Sequence, residues 1–267
     1  EKFPEYSKND FYIFGESYAG HYIPSVSKYI LEQNEKGEPK MNLKAVGIGD
    51  GWTDPIEQLP YYSFFSFANG LIDEKQYQKV VELEKEGAQA INDGRMADAQ
   101  KYWNDVLTTI TTDAGNISRV DYRKFLMLDS AASQIPFFDM PEVRKALHVP
   151  KEIVFSLTDM VAFQKMINDF MSSVKEKLPY ILQKIPVLLY NGQDDLLVNT
   201  PGAEAWIRTI DWPHKSDYLE ANREIWKNQD GEIAGYRRSS HGLVQVVVLK
   251  AGHMVPADQI KNSQNMV

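Results

Sequence analysis

The chain has 267 residues, of which 29 are Lys or Arg and 37 are Asp or Glu, a formal charge of −8, with 43% hydrophobic side chains. A chain of this size can bury one substantial core, which excludes a stapled mini-protein, and its acidic surplus disfavours a nucleic-acid surface, where Lys and Arg must neutralise phosphates. The absence of cysteine removes disulfides, thiolate metal sites and a cysteine nucleophile, and no apolar run approaches the roughly 20 residues that span a bilayer.

In chain order, Phe11 to Phe14 is a short β-prone run stopped by Gly15, and apolar residues then recur at near-helical spacing from Gly20 to Leu31. A second strand signal, Leu43 to Ile48, ends at Gly49-Asp50-Gly51. From residue 61 to 182 the texture becomes long, charged and helical, with stretches at Asp73 to Ala90 and Met96 to Thr111, broken at Asp93-Gly94 and Ala114-Gly115-Asn116. Asn116-Ile117-Ser118 is a glycosylation sequon, usable if the protein is secreted. Pro186 to Tyr190 is a third strand signal before Asn191-Gly192. The alternating stretch from Asp217 to Val248, broken at Asp230-Gly231, predicts a hairpin attached to a last strand, Leu243 to Leu249, that ends at Ala251-Gly252.

Four near-continuous apolar strands that each run into a glycine turn predict an α/β fold with a mostly parallel sheet buried on both faces. The organisation expected is a core segment over 1–60, a helical insertion or lid over 61–182, and a second core segment over 183–267. No repeat or low-complexity linker interrupts it.

The sharpest chemical feature is Gly15-Glu16-Ser17-Tyr18-Ala19-Gly20, a Gly-x-Ser-x-Gly pattern between a strand and a helix. Such a turn projects Ser17 above the sheet, its glycines permitting close strand–helix approach, and aims the Tyr18 amide at a developing oxyanion. A glycine-flanked strand–helix turn without chemistry would read the same way locally. A serine nucleophile needs a base and the base an orienting carboxylate. Asp194 and Asp195 follow the third strand and His253 follows the last, giving the order Ser, Asp, His of an α/β-hydrolase. Of the other histidines, His21 lies on the helix after Ser17, while His148, His214 and His241 do not follow strand ends.

The segments Phe3-Pro4-Glu5-Tyr6, Gly15-Glu16-Ser17-Tyr18-Ala19-Gly20-His21-Tyr22-Ile23-Pro24 and Ala251-Gly252-His253-Met254-Val255-Pro256-Ala257-Asp258-Gln259 resemble the serine carboxypeptidases. Ile48-Gly49-Asp50-Gly51 with Asp54-Pro55, Pro141 to Val149, and Tyr190-Asn191-Gly192-Gln193-Asp194-Asp195 resemble the vitellogenic-like branch in particular. The resemblance implies release of C-terminal residues from peptides through an acyl-enzyme, with Ser17 as nucleophile, His253 as base and Asp195 rather than Asp194 as its orienter. It implies that Glu16 binds the substrate's terminal carboxylate through a shared proton, which favours acidic pH and a lysosome-like, vacuolar or secreted setting. Glu16 also suits a helix N-terminus with no substrate at all. Tyr18 and Met254 would line the subsites, although both also suit packing.

The implied partners are peptides with a free C-terminus, with a preceding segment or chain and a second copy of this chain as further ones. Neither nucleic acid nor a membrane is expected. No cofactor or metal is expected either, since ligand spacing of the His-Glu-x-x-His kind is absent. Against the family pattern, the first strands, a Gly-Gly-Pro-Gly turn carrying the second oxyanion donor, and a closing helix are missing, so the sequence reads as an internal part of a longer protein. Alone it is expected to be a poor catalyst and poorly stable. Cysteines usual in the family's insertion are absent too. An acyltransferase on the same machinery and a non-catalytic homologue acting as a binding or structural module are the competing readings.

Overall fold

A computed structural model describes residues 3–37, 41–125, 135–150, 152–156 and 159–266. Its first part contains β1 (Phe11–Glu16), α1 (Ala19–Lys36), β2 (Leu43–Gly49), α2 (Pro55–Gln58) and α3 (Tyr62–Ala68). Next come α4 (Glu74–Asn92), α5 (Met96–Asp113), β3 (Ile117–Ser118), β4 (Asp121–Phe125), α6 (Ile135–Asp139), α7 (Pro141–Ala146), α8 (Met160–Phe170) and α9 (Leu178–Leu182). The remainder is β5 (Val187–Gly192), α10 (Thr200–Arg208), α11 (Lys215–Glu220), β6 (Glu224–Lys227), β7 (Ile233–Ser240), β8 (Leu243–Val248), α12 (Val255–Asp258) and α13 (Ile260–Met266).

Six strands form one sheet in the order β1-β2-β5-β8-β7-β6. The first four are parallel, and β7 and β6 continue antiparallel as the hairpin expected around Asp230-Gly231. Parallel strands end on a common edge, so the turns after β1, β2, β5 and β8 open together.

The two-residue strand period sorts the side chains by face. Val46, Ile48, Val187, Leu189 and Leu243 share a core with Ile23, Ile30 and Leu31 of α1, Leu178 and Ile181 of α9, and Trp206 and Ile207 of α10. Each such fully buried side chain stabilises the fold by about 1.5–3 kcal/mol. On the opposite face Tyr190, Val246 and Val248 pack with Ala251 and Val255. Toward β1 that face is open, with Tyr12 52% and Phe14 41% exposed. They line a groove of about 370 Å³ with Leu188, Trp226, Val244 and Met266. Burial on both faces therefore fails at β1, because no described element covers these rings.

The stretches read as helical in the insertion form α4 and α5. A capping box starts α4, in which the Gln76 amide donates to the Asp73 carboxylate and the Asp73 amide to the Gln76 side chain. The two helices pack around Val80, Ala90, Ala99, Val106, Leu107 and Ile110. The insertion is not wholly helical, since β3 and β4 pair as an antiparallel hairpin. The charged run Asp121-Tyr122-Arg123-Lys124-Phe125 lacks the apolar alternation that marks a strand.

Candidate active site

The turn after β1 holds Ser17 at φ 63°, a left-handed conformation costly for any residue with a β-carbon. It is clamped to the neighbouring strand end. The Ser17 amide donates to the Gly49 carbonyl at 2.9 Å, and the Ser17 carbonyl accepts from the Gly20 and Trp52 amides at 2.9 and 3.0 Å. The flanking glycines are required by distance, because a β-carbon on Gly15 would lie 2.7 Å from the Ala19 β-carbon, and one on Gly20 2.7 Å from the Trp52 backbone. Pro24 cannot donate to the Gly20 carbonyl within α1, and the Thr53 hydroxyl donates to it instead at 3.3 Å. Tyr18 is the N-cap of α1, with its amide at the open end of the helix.

Across the same sheet edge, His253 Nδ1 hydrogen-bonds Asp195 Oδ2 at 2.7 Å, with His253 only 4% exposed and Asp195 wholly buried. The other Asp195 oxygen accepts from the Leu197 amide at 2.8 Å. Asp194 goes elsewhere: its carboxylate faces Arg123 Nε at 3.3 Å. The structure thus brings Asp195, and not Asp194, to His253. Among the described residues the Ser17 hydroxyl makes no hydrogen bond to His253, a contact that in substrate-free hydrolases often tightens only in the reactive complex.

The site is rich in carboxyl groups. Burial lowers the basicity of His253, but the Asp195 charge and hydrogen bond, with Glu16 behind them, more than offset it and hold the imidazole above its ordinary value. Burial likewise pushes the Glu16 carboxyl up, against the pull of His253 and the Val255 amide. Asp50, at the end of β2, is fully buried and is pushed well up by that burial and then by Asp195.

Residues 1–267 match the sequence profile of the serine carboxypeptidases. The chain belongs to the serine carboxypeptidase family. It is 35% identical over 272 residues to a probable serine carboxypeptidase CPVL of Dictyostelium discoideum, covering 99% of this chain and 54% of that one. With the probable serine carboxypeptidase CPVL of Homo sapiens it shares 33% over 276 residues, covering 99% and 57%. The crystal structure of Kex1(delta)p, a prohormone-processing carboxypeptidase from Saccharomyces cerevisiae, matches with a TM-score of 0.83 at 26% identity, covering 99% of this chain and 62% of that one. The vitellogenic-like resemblance read from the sequence agrees with these relatives, and the fold is that of the α/β-hydrolases. The chain spans about half the length of the curated relatives it matches, 54% and 57% for the two named.

Two surroundings of this site were not legible in the sequence. One is the β3–β4 hairpin, which grips the His253 loop. The Val120 carbonyl accepts from the His253 amide at 2.6 Å and the Tyr122 amide donates to the Asp194 carbonyl at 3.2 Å, while Lys124 reaches Asp258 at 3.1 Å. Burial raises the Asp121 carboxyl, but Arg123 and Lys124 beside it bring it below its ordinary value. The other is an aromatic wall from α8. The Tyr18 ring stacks on His21 at 4.7 Å and Phe170 at 5.6 Å, its hydroxyl donates to Asp169, and Trp52 and Trp103 close on Phe170. No motif marks Phe170; the amphipathic pattern of Met160 to Phe170 was its only signal.

Met254, beside His253, is half exposed, and Asn116 stands exposed in the turn after α5. The other histidines lie apart from the pair. His21 is buried with its ring nitrogens against the Trp52 and Ser172 carbonyls, and His148 follows α7 at positive φ. His214 and His241 face Asp217 at the opposite end of β8 from His253. Those two imidazoles stack at 3.7 Å and 6°.

Proposed function

We propose that Ser17, His253 and Asp195 are the triad of a serine-type carboxypeptidase that releases single residues from peptide C-termini. Ser17 Oγ attacks the last peptide carbonyl while His253 Nε2 takes its proton and then returns it to the departing amine. Water next attacks the acyl-enzyme, its proton passing through Nε2 back to Ser17. Asp195 fixes the tautomer by accepting from Nδ1–H and stabilises the transient imidazolium. The Tyr18 amide supplies one oxyanion donor. Glu16, protonated, donates to the substrate's terminal carboxylate, and Tyr18 and Met254 border the side-chain pockets.

The observation that carries this reading is the buried 2.7 Å His253–Asp195 pair on the edge where the strained Ser17 turn also emerges. The remaining length of the relatives is where we place the second oxyanion donor and the cover for Tyr12 and Phe14. An acidic lysosome-like, vacuolar or secreted setting, with glycosylation at Asn116, goes with the carboxyl-rich site.

The test is the protein carrying this chain, incubated with a peptide at mildly acidic pH and followed by mass spectrometry. Stepwise loss of C-terminal residues that disappears in Ser17→Ala, with folding intact, is expected. Undiminished release in that variant would overturn the reading, and transfer to a small alcohol instead of water would favour the acyltransferase.

A further inference from the structure

The sheet edge holds a third buried carboxyl group that the triad does not use. Asp50 follows β2, in the strand between the Ser17 turn and the Asp195 turn, at φ 42°. It has no exposed surface. Its Oδ1 accepts from the Gly192 backbone amide at 2.9 Å and from the Asn191 side-chain Nδ2 at 3.4 Å. Its Oδ2 is buried and meets no donor among the described residues.

One carboxyl oxygen each from Asp50 and Asp195 and a ring nitrogen of His253 lie within 4.8 Å of one another. Asp195 spends one oxygen on His253 and the other on the Leu197 amide. An ionised Asp50 would therefore place two buried carboxylates side by side, an arrangement in which one keeps its proton.

We propose that Asp50 is a positioning residue that acts as a neutral carboxylic acid, donating from Oδ2 to the Asp195 carboxylate. This rests on the carboxypeptidase reading of the site and adds a fourth member to it. The donor satisfies the orphan oxygen, leaves Asp195 with a single shared negative charge for the imidazolium, and fixes its tilt toward Nδ1. It keeps its proton throughout the cycle. The ionisable groups that face it are Asp195 after β5, His253 after β8, Glu16 at the end of β1 and Tyr190 on β5. Burial and then Asp195 favour the protonated form of Asp50. The strained backbone and the Gly192 contact tie the carboxyl to the Asp195 turn, so it moves with the group it orients.

The deciding measurement is the rate of Ser17 labelling by a fluorophosphonate against pH, with kcat and KM for a peptide beside it, in the wild type, Asp50→Asn and Asp50→Ala. Labelling involves no substrate carboxylate and so does not read Glu16 as a binding group, while the charge of Glu16 on His253 is common to the wild type and both variants. Asp50→Ala is expected to label and turn over about tenfold or more slowly, the worth of one hydrogen bond to a charged group. Asp50→Asn, whose amide still donates, restores most of that loss. In the wild type the rate falls at alkaline pH as Asp50 ionises against Asp195, whereas in Asp50→Asn this fall moves up or vanishes, in kcat and not in KM. An Asn variant as slow as the Ala variant, or one with the wild-type alkaline fall, would overturn the proposal. The comparison of wild type with Asp50→Asn decides it even if the Ala variant does not fold. Labelling at Ser17 without residue release sinks the carboxypeptidase reading alone, and absence of labelling in the wild type sinks both.

Discussion

Glu84 offers a stability test that is independent of the active site. It sits on α4 only 4% exposed, one oxygen accepting from the Ser63 amide and the other from the Ser63 hydroxyl, both at 2.7 Å. Among the described residues no cation compensates it there; burial pushes the carboxyl up to about 7, against the pull of those hydrogen bonds, from an ordinary 4.5. A group raised on folding contributes stability that is complete below its unfolded value and is lost as pH rises through its folded value. The window is therefore about pH 4.5 to 7. At roughly 1.4 kcal/mol per pH unit, a rise through it costs on the order of 3 kcal/mol. Glu84→Gln keeps the shape and the acceptor for the Ser63 amide but cannot ionise. The assay is urea unfolding of wild type and variant at about pH 4.5, 6 and 8, points that bracket the window. The difference between the two curves isolates this group, since other titrating groups cancel to the extent that they are distant. The wild type should lose ground to the variant steadily across the window. Parallel curves would refute the reasoning, as would a wild type gaining on the variant as pH rises.

Glu16→Gln should raise KM for peptides little at acidic pH and preserve binding at neutral pH, where the wild type weakens as its elevated carboxyl ionises against the substrate carboxylate; an unchanged pH dependence of KM would refute the shared proton. Gly20→Ala puts a β-carbon 2.7 Å from the Trp52 backbone. It should cost about 1–3 kcal/mol in urea unfolding and slow Ser17 labelling, whereas a neutral effect on both would show that the turn can relax. Lys175→Met leaves the wholly buried Asp54 without the cation now 2.5 Å away; the expected cost is about 3–5 kcal/mol, read as a lowered urea midpoint.

The core strands and the positions of Ser17 and His253 were legible because their signals are local. An apolar run closed by a glycine is written in consecutive residues, and parallel strands deliver the turns at their C-terminal ends to one edge of the sheet. The resemblance selected Asp195 over Asp194, and the fold supplies the contacts that separate them, His253 for one and Arg123 for the other. Other features exist only through contacts between segments far apart in the chain. Asp50 meets Asp195 from a different strand end, and nothing about an aspartate in a glycine turn announces a buried partner. The β3–β4 hairpin carries a charged sequence inside a stretch read as helical, and only the fold shows it clamping the His253 turn. Phe170 belongs to an amphipathic helix like many others until α8 lays it on Tyr18. The strand pattern likewise expressed which residues are apolar, but not which face would be covered, so Tyr12 and Phe14 read as core and stand exposed. Residue type and spacing decide what a segment can form locally; burial, and with it protonation and orientation, depends on what the rest of the chain brings against it.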